Sequence, residues 1–226
     1  MVRYDDNLPD AKCIIVRTEK ERTILVVDSK KPTLALEGER LEIFRNATYI
    51  YTSISEFKKF NNYMELARDL KCHGAQIVFD VENSTYTIAD SDLLEMADVL
   101  FFNEFGFAAY CANKEKDECY KHLFACGVKV VTVTLGAEGS YTRTPNAENR
   151  TRALHFDIVD TTGAGDTFNS SFVRCLLVGM DIDAAAKFAN VAAGRSITKL
   201  GPKGGVCSVE EIEKLIEQYG DLLTAK

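Results

Sequence analysis

The 226-residue chain is 46% hydrophobic and carries 27 basic against 34 acidic residues, a formal charge of −7. This length suffices for one sizeable domain with a core, and the acidic balance argues against a general nucleic-acid binder. The seven cysteines form no C-x-x-C pair, so we expect neither a disulfide framework nor a zinc site. We expect a cytoplasmic protein with no membrane partner, because no apolar run has the length of a signal or membrane helix.

The first part of the chain predicts a β-hairpin. Residues 13–17 and 23–27 are apolar runs that flank a polar stretch, which is typical of two antiparallel strands joined by a turn. No helix–strand alternation accompanies them. We therefore expect residues 1–45 to form a β-appendage and residues 46–226 to form the main α/β domain.

From residue 56 onward, helical and strand patterns alternate. Apolar residues recur at helical spacing from Phe57 to Ala67, and Gly74 is a predicted helix stop. The predicted strands here are 76–81, 99–102 and 128–134, and the further predicted helices are 91–97 and 114–126. Such alternation predicts a parallel sheet with helices on both faces.

After Thr134 the pattern changes. A turn at 135–139 precedes two predicted strands, 140–143 and 154–159. Three helices are then predicted at 164–178, 183–197 and 208–219. The last opens with a capping box, in which Ser208 and Glu211 can each satisfy a free backbone amide of the first turn.

The strongest motif is Asp160-Thr-Thr-Gly-Ala-Gly-Asp-Thr-Phe168, in which two glycines separate an apolar segment from a helical pattern. Glycines let a ligand approach the backbone closely. The first amides of a helix lack internal partners, and that helix end carries roughly half a positive charge. Together these features predict a phosphoryl-binding site. The motif is neither a P-loop nor the G-x-G-x-x-G dinucleotide fingerprint.

Asp166 lies at the predicted start of this helix. It is either a helix cap and dipole partner or a general base that deprotonates a substrate hydroxyl beside the bound phosphoryl group. A positioned base contributes roughly 10²–10⁴-fold in rate.

The motif resembles the C-terminal signature of the ribokinase-like (PfkB) carbohydrate kinases. Further stretches resemble that family: Val131-Thr-Val-Thr-Leu-Gly-Ala-Glu-Gly139, Phe188-Ala-Asn-Val-Ala-Ala-Gly194, Ser196-Ile-Thr-Lys-Leu-Gly201 and the lid strand Arg22-Thr-Ile-Leu25. The resemblance implies a three-layer Rossmann-like α/β sandwich with a remnant β-lid hairpin. It also implies ATP-dependent phosphoryl transfer to a sugar hydroxyl, with magnesium bridging the nucleotide phosphates.

The resemblance implies roles for individual residues. Asp166 would be the catalytic base, and Gly163, Ala164 and Gly165 would form the anion hole. Nucleotide contacts are implied for Asn103, Thr134, Gly136, Gly139, Asn190 and Ala193. A monovalent-cation site, which holds potassium in potassium-activated members, is implied at Asp160, Thr162, Ser196, Lys199 and Gly201.

Each of these roles has a simpler competitor. Gly136 and Gly139 fit any strand–turn–strand, Asn190 fits a solvated helix position, and Ala193 fits close helix packing. Ser196 and Lys199 are ordinary loop residues. Their order and spacing around the glycine motif favour the functional interpretation.

Two features depart from the family pattern. The family has Asn-x-x-Glu where this chain has Asn103-Glu-Phe-Gly106, and that acid organises the water shell of magnesium and phosphate. The Gly-Gly-x-x-x-Asn segment that holds the sugar is also missing, so the chain is expected to begin inside the lid. It would be a fragment, a truncated product or a degenerate relative.

Three functions therefore remain open. The first is a carbohydrate kinase, in which lid strands pair two copies into a homodimer. The second is a truncated, catalytically weak nucleotide-binding protein of the same fold, and the third is a nucleoside or vitamin kinase of the same superfamily.

Overall fold

The computed structural model describes residues 12–17, 22–27, 33–81 and 91–224. The polar N-terminus and the polar tip of the predicted hairpin lie outside these residues. Strands β1 (Lys12–Arg17) and β2 (Arg22–Val27) form a two-stranded antiparallel sheet. The predicted hairpin is therefore confirmed. Ile14, Ile15 and Val16 on β1 expose about half of their surface.

A six-stranded sheet forms the centre of the main domain. Its strands are β3 (Tyr49–Ser53), β4 (Gln76–Val81), β5 (Val99–Asn103), β6 (Val130–Thr134), β7 (Ser140–Arg143) and β8 (Glu148–Thr151). The strands lie in chain order, with β3 to β6 parallel and β7 and β8 antiparallel to their neighbours. The predicted parallel sheet is confirmed.

Helices cover both faces of this sheet. They are α1 (Gly38–Arg45), α2 (Ile54–Phe57), α3 (Tyr63–Cys72), α4 (Ser91–Leu94), α5 (Glu104–Cys111), α6 (Lys116–Ala125), α7 (Ala164–Leu177), α8 (Ile182–Ser196) and α9 (Val209–Leu223). One core contains residues of α2 to α6, and the other contains residues of α7, α8 and α9. The molecule is thus the expected three-layer α/β sandwich. Among the helices described, none is long and apolar enough to cross a bilayer.

Strand β5 explains why the central strands are continuously apolar. Val99 and Phe101 face the core beneath α7 and α8, whereas Leu100 and Phe102 face the opposite core. The ring of Phe101 meets that of Phe172 edge to face at 5.5 Å, and Phe102 meets Phe107 at 5.3 Å. Because both sides of the strand are buried, the sequence shows no polar alternation.

Two predicted elements differ from the structure. The helical pattern that begins at Phe57 is split into α2 and α3, because Asn62 adopts a left-handed conformation with φ of 52° and starts a new helix. The strand predicted at 154–159 is wrong. The chain leaves the sheet after β8, where the amide of Arg152 donates to the Leu223 carbonyl, and its apolar residues pack elsewhere.

Four elements were not predicted. One is the polar strand β8, and another, α1, lies within residues 1–45, where a β-appendage is predicted. β3 carries tyrosines and polar residues within a short run, and α5 begins on an apolar stretch that gives no helical period. Helix α1 has no buried residue. It is attached to α3 by Arg45, whose guanidinium donates two hydrogen bonds of 2.8 Å to the Asp69 carboxylate.

Candidate active site

A cavity of about 320 Å³ opens where β6, the start of α7 and α8 converge. This volume lies within the range of small-molecule sites. Its lining residues are Thr134, Gly136, Ala137, Gly139, Ala153, Leu154, His155, Phe156, Ile158, Thr161, Ala164, Gly165, Phe168, Asn190, Ala193, Gly194 and Ile197. The cavity therefore lies at the carboxyl end of a parallel strand, where open α/β sheets bind ligands.

The turn after β6 forms one wall of the cavity. Residues 136–138 form a single 3₁₀ turn, and the Leu135 amide donates to the Gly139 carbonyl at 2.8 Å. Gly139 has φ of 98°, and a Cβ built on it would lie 2.0 Å from the Thr151 carbonyl oxygen. Only glycine fits this position, because the turn is pressed against the end of β8. The cavity wall here is consequently backbone.

The start of α7 forms the opposite wall. Gly163 occupies the N-cap position with φ of 80°, and it offers no side-chain cap to the helix. A Cβ on Gly163 would lie 2.7 Å from the Pro202 carbonyl oxygen. Ala164 and Gly165 of the first turn line the cavity. The positive end of the helix dipole therefore faces the cavity, which favours an anionic group there.

Asp166 lies in the same first turn and is exposed to solvent, but it is not among the cavity-lining residues. One turn further along α7, the buried Asn169 donates its amide to the Tyr51 hydroxyl at 3.2 Å. Tyr51, on β3, donates in turn to the Asp80 carboxylate at 3.2 Å. These contacts tie α7 to the carboxyl ends of β3 and β4.

The Tyr51 hydroxyl lies in an acidic setting. Burial raises the pKa of Tyr51, and the negative charges of Asp80 and Asp166 raise it further. The first turn of α7 thus places Ala164 and Gly165 at the cavity and the solvent-exposed Asp166 outside its lining.

Helix α8 closes the cavity on the side of Asn190. The buried side-chain amide of Asn190 donates to the Ser140 hydroxyl and to the Ala186 carbonyl, both at 2.8 Å. These bonds fix α8 against the start of β7. Asn190 is therefore held by the protein rather than solvated, and Ala193, one turn later, lines the cavity beside it.

Asp160 joins the glycine motif to the loop after α8. One carboxylate oxygen accepts from the Thr162 amide at 3.0 Å and from its hydroxyl at 2.7 Å. The other oxygen accepts from the Gly201 amide at 3.0 Å. Asp160 is only 6% exposed. The structure thus brings together three of the five residues implied for a monovalent cation.

The other two residues of that set are placed differently. Ser196 is fully buried, and its hydroxyl donates to the Ala193 carbonyl at 2.8 Å, whereas Lys199 is exposed. The carbonyl of Ile197, between them, accepts from the amides of Val159 and Asp160. Backbone carbonyls and one carboxylate are hard oxygen donors of the kind that alkali and alkaline-earth ions take.

Asn103 acts as the N-cap of α5, since its side-chain oxygen accepts from the Gly106 amide at 2.7 Å. Glu104 is exposed and lines a different cavity of about 330 Å³, together with Phe107 and Tyr120. Glu104 therefore does not line the 320 Å³ cavity, and the chain has Gly106 where the family pattern described above has an acid.

Sequence reasoning missed the segment 153–158, which supplies five lining residues. The ring of Phe156 packs over Gly194, where a Cβ would lie 2.7 Å from the ring. The apolar run at 154–156 was the available signal, but it was interpreted as a strand. Its apolar side chains instead cover the cavity and the surface of α8.

Comparison with known proteins decides the family. Residues 1–206 match the family described as pfkB family carbohydrate kinase. This chain belongs to the pfkB family. A curated relative, 5-dehydro-2-deoxygluconokinase of Bacillus subtilis, is 30% identical over 158 residues, which are 65% of this chain and 49% of that protein. Ribokinase of the same organism is 40% identical over 84 residues, 37% of this chain and 29% of that protein.

Solved structures share the fold of this pfkB-family chain. Ribokinase of Arabidopsis thaliana, solved with ribose and ATP, matches with a TM-score of 0.79 and 23% identity, over 93% of this chain and 70% of that one. Ribokinase of Giardia lamblia matches with a TM-score of 0.80 and 21% identity, over 97% and 75%. The chain spans about half the length of the 5-dehydro-2-deoxygluconokinase that it matches.

Proposed function

We propose that the chain catalyses, or forms the phosphoryl-donor part of a protein that catalyses, ATP-dependent phosphoryl transfer to a sugar hydroxyl. The observation that carries this proposal is the first turn of α7. Ala164 and Gly165 line the cavity, while Asp166 of the same turn is exposed to solvent just outside its lining. A phosphoryl group and an acceptor hydroxyl held on these two sides would be adjacent.

ATP is assigned to the 320 Å³ cavity. The backbone wall at Gly136 and Gly139 and the turn residue Thr134 would face the ribose and phosphates, and Asn190 with Ala193 would lie beside the adenine. The structure of Ribokinase II from E. coli in complex with ATP and Mg²⁺, matched with a TM-score of 0.76 at 21% identity, supports this assignment.

The proposed chemistry uses two groups of this chain. The carboxylate of Asp166 would accept the proton of the acceptor hydroxyl while the hydroxyl oxygen bonds to the γ-phosphorus of ATP and the bond from that phosphorus to the ADP oxygen breaks. The amides of Gly163, Ala164 and Gly165 would stabilise the charge on the transferring group, and in phosphoryl transfer such electrostatic stabilisation supplies most of the catalysis. The start of α7 fits this role because its N-cap, Gly163, has no side chain to cap the first amides, although the Ala164 amide also donates to the Thr161 carbonyl at 3.3 Å.

Two metal ions follow from the family and are proposals for this chain. Magnesium favours phosphate oxygens and water as ligands, so with Gly106 in place of the family's acid the ion would be held mainly through the nucleotide, and Asn103 is the residue of this chain proposed to contact it. A monovalent cation fits the oxygen-rich loop around Asp160, Thr162 and Gly201, with backbone carbonyls near Ser196 and Lys199. The bound ion would supply charge compensation next to the anion hole.

The acceptor and the assembly are also proposals. The acceptor is a sugar or sugar-like molecule, as the names of the B. subtilis relatives indicate. The hairpin exposes Ile14, Ile15, Val16 and Leu25, which supports a homodimer through paired lid strands. No nucleic acid is proposed as a partner, and a cytoplasmic location remains a prediction from the sequence.

A phosphotransfer screen tests the proposed reaction. The purified chain is incubated with ATP and Mg²⁺ and a panel of acceptors, including ribose, 5-dehydro-2-deoxygluconate and adenosine, and ADP formation is followed. Sugar-dependent ADP formation that Asp166→Asn abolishes is the expected result. Transfer to adenosine alone would favour the nucleoside kinase, and no transfer to any acceptor would contradict the proposed reaction for this chain.

One observation favours a second function, a catalytically weak nucleotide-binding protein of the same fold. Gly106 stands where the family has the acid that organises magnesium and phosphate, and Glu104 lies in another cavity. If this second function is correct, calorimetry should show that the chain binds ATP. In the phosphotransfer screen, the chain should form ADP no faster than the Asp166→Asn variant does.

A further inference from the structure

A second group of chemically reactive side chains lies at the opposite end of the central strands from the candidate active site. Glu95 follows α4 and precedes β5, while His122 and Cys126 lie at the end of α6 and precede β6. Strands β5 and β6 are parallel neighbours. Their amino ends therefore lie side by side at this end of the sheet. Asn103 and Thr134 are the last residues of the two strands, and Thr134 lines the 320 Å³ cavity at the other end.

The three side chains converge on one point. One ligand atom from each of Glu95, His122 and Cys126 lies within 4.8 Å of the other two. The His122 Nε2 and Glu95 Oε1 atoms are 3.2 Å apart. In a tetrahedral zinc site with ligand bonds of about 2.0–2.3 Å, neighbouring ligand atoms are about 3.3–3.8 Å apart. The His122–Glu95 pair already has nearly this separation, and the Cys126 thiol lies within 4.8 Å of both ligand atoms.

The local sequence explains why the group forms. His122 and Cys126 are four residues apart on α6 and its C-cap, so they lie on the same face of the helix. Glu95 is brought opposite them because α4 ends directly before β5. The sequence alone predicted no zinc site, since its histidines and cysteines are scattered. The carboxylate that completes the group comes from a different element.

We propose that Glu95, His122 and Cys126 form a binding site for a divalent transition-metal ion of borderline softness, such as Zn²⁺ or Co²⁺. One imidazole, one thiolate and one carboxylate form a donor set that suits Zn²⁺ and disfavours Mg²⁺ or Ca²⁺. The His122 side chain is 53% exposed and that of Glu95 36%. Water can therefore reach the group and fill the fourth coordination position.

A metal ion at this site would cross-link the end of α4 to the end of α6. It would thereby link the segments that lead into β5 and β6. An ion that binds only the folded chain stabilises it by mass action. The thiol loses its proton when the metal binds, as metal-bound cysteines do.

The end of α3 provides a matched control within the same chain. His73 and Cys72 are both exposed there, and the His73 Nδ1 atom lies 3.6 Å from an Asp69 carboxylate oxygen. Both Asp69 oxygens, however, accept hydrogen bonds from Arg45. A thiol, an imidazole and a carboxylate are thus present here too, but both oxygens of this carboxylate are engaged by Arg45.

The test is a titration of the reduced, full 226-residue chain with Co²⁺, followed by competition with Zn²⁺. We expect a near-ultraviolet thiolate-to-cobalt absorption that saturates at one equivalent and that Zn²⁺ removes, together with a rise in melting temperature with Zn²⁺. Cys126→Ser should abolish the absorption. His122→Gln and Glu95→Gln should each weaken binding by at least about 10-fold, the smallest effect typical even of an outer partner of a metal ligand.

Cys72→Ser and His73→Gln are the controls and should leave both signals unchanged. Circular dichroism establishes that each variant is folded before its titration. Absorption that persists in Cys126→Ser would overturn the proposal. So would absorption that Cys72→Ser removes, or a wild-type chain that gives no absorption with excess Co²⁺.

Discussion

Two regions flank the first turn of α7: a donor side, where ATP is proposed to bind, and an acceptor side, where the sugar is proposed to bind. The chain supplies many more residues to the donor side than to the acceptor side. On the donor side, the turn at Gly139, the segment 153–158 and α8 enclose a cavity with tightly packed walls. On the acceptor side, the described residues offer Asp166, the Tyr51 hydroxyl and the edge strand β3. We therefore expect the proposed nucleotide binding and the proposed sugar binding to respond separately to substitutions.

The largest effect on turnover is expected for Asp166, which lies in the first turn of α7 between the donor side and the acceptor side. Asp166→Asn keeps the size of the side chain but cannot accept a proton, so turnover should fall by roughly 10²-fold or more. Affinity for ATP should change little, because the removed charge is negative and lies near phosphates. Steady-state kinetics with the acceptor found in the screen, and calorimetry with ATP, measure the two quantities.

Glu210→Gln is the control for a purely helical role of Asp166, since Glu210 is also an acidic residue in the first turn of a helix, α9. If Asp166 served only as a dipole partner, both variants would lose about 1 kcal/mol or less of stability and both would keep normal turnover. Normal turnover in Asp166→Asn would end its assignment as the base.

The next effect concerns the donor side alone. Gly139→Ala places a Cβ against the Thr151 carbonyl in a backbone conformation that favours glycine, so the free energy of unfolding should fall by about 2 kcal/mol. ATP affinity should fall with it, because the turn forms the cavity wall. Denaturant unfolding and calorimetry provide the measurements. Gly220→Ala, at a helix position with open space around it, should leave ATP affinity unchanged and stabilise slightly.

A smaller effect is expected on the acceptor side. Tyr51→Phe removes the hydroxyl that links Asn169 to Asp80, and stability should fall by about 1 kcal/mol. The KM for the acceptor should rise while the affinity for ATP stays constant, because these contacts lie outside the nucleotide cavity. An equal loss in ATP affinity would show that the two sides are not separable.

The smallest effect on stability concerns the hairpin. Ile15→Lys changes an exposed side chain, so the free energy of unfolding should change by no more than about 0.5 kcal/mol. The proposed homodimer should nevertheless dissociate, because a charge would enter the lid interface. Sedimentation velocity compares this variant with Ile43→Lys, a residue of α1 that is also exposed, at 54% against 44% for Ile15. A dimer that survives Ile15→Lys would contradict pairing through the lid.

The sequence predicted those parts of the fold and site that local chemistry determines. The β-branched run of β6 predicted a strand, and Gly163, with φ of 80°, fits the predicted helix start. The strand predicted directly before the motif was wrong, and residues 154–156 line the cavity instead. The contacts of Asp160 with Gly201 and of Asn190 with Ser140 depend on distant segments meeting, and no local pattern encodes them.

The errors have the same physical origin. The polar strand β8 pairs with β7 through backbone bonds and the polar contacts of Glu148 with Tyr141 and Arg143, and residues 154–156 line the cavity rather than joining a sheet. Alternation of polar and apolar residues cannot distinguish these cases. The group of Glu95, His122 and Cys126 was likewise invisible, since it forms only when two helices end at neighbouring strands.

The proposal that the donor side binds ATP on its own is tested most directly by a calorimetric titration of the folded chain with ATP in the presence of Mg²⁺, without any acceptor. We expect saturable binding at one site per chain, because residues of this chain line the donor-side cavity. Binding should be retained in Asp166→Asn and weakened in Gly139→Ala. Absence of ATP and ADP binding by protein whose circular dichroism is that of a folded α/β domain would contradict the proposal.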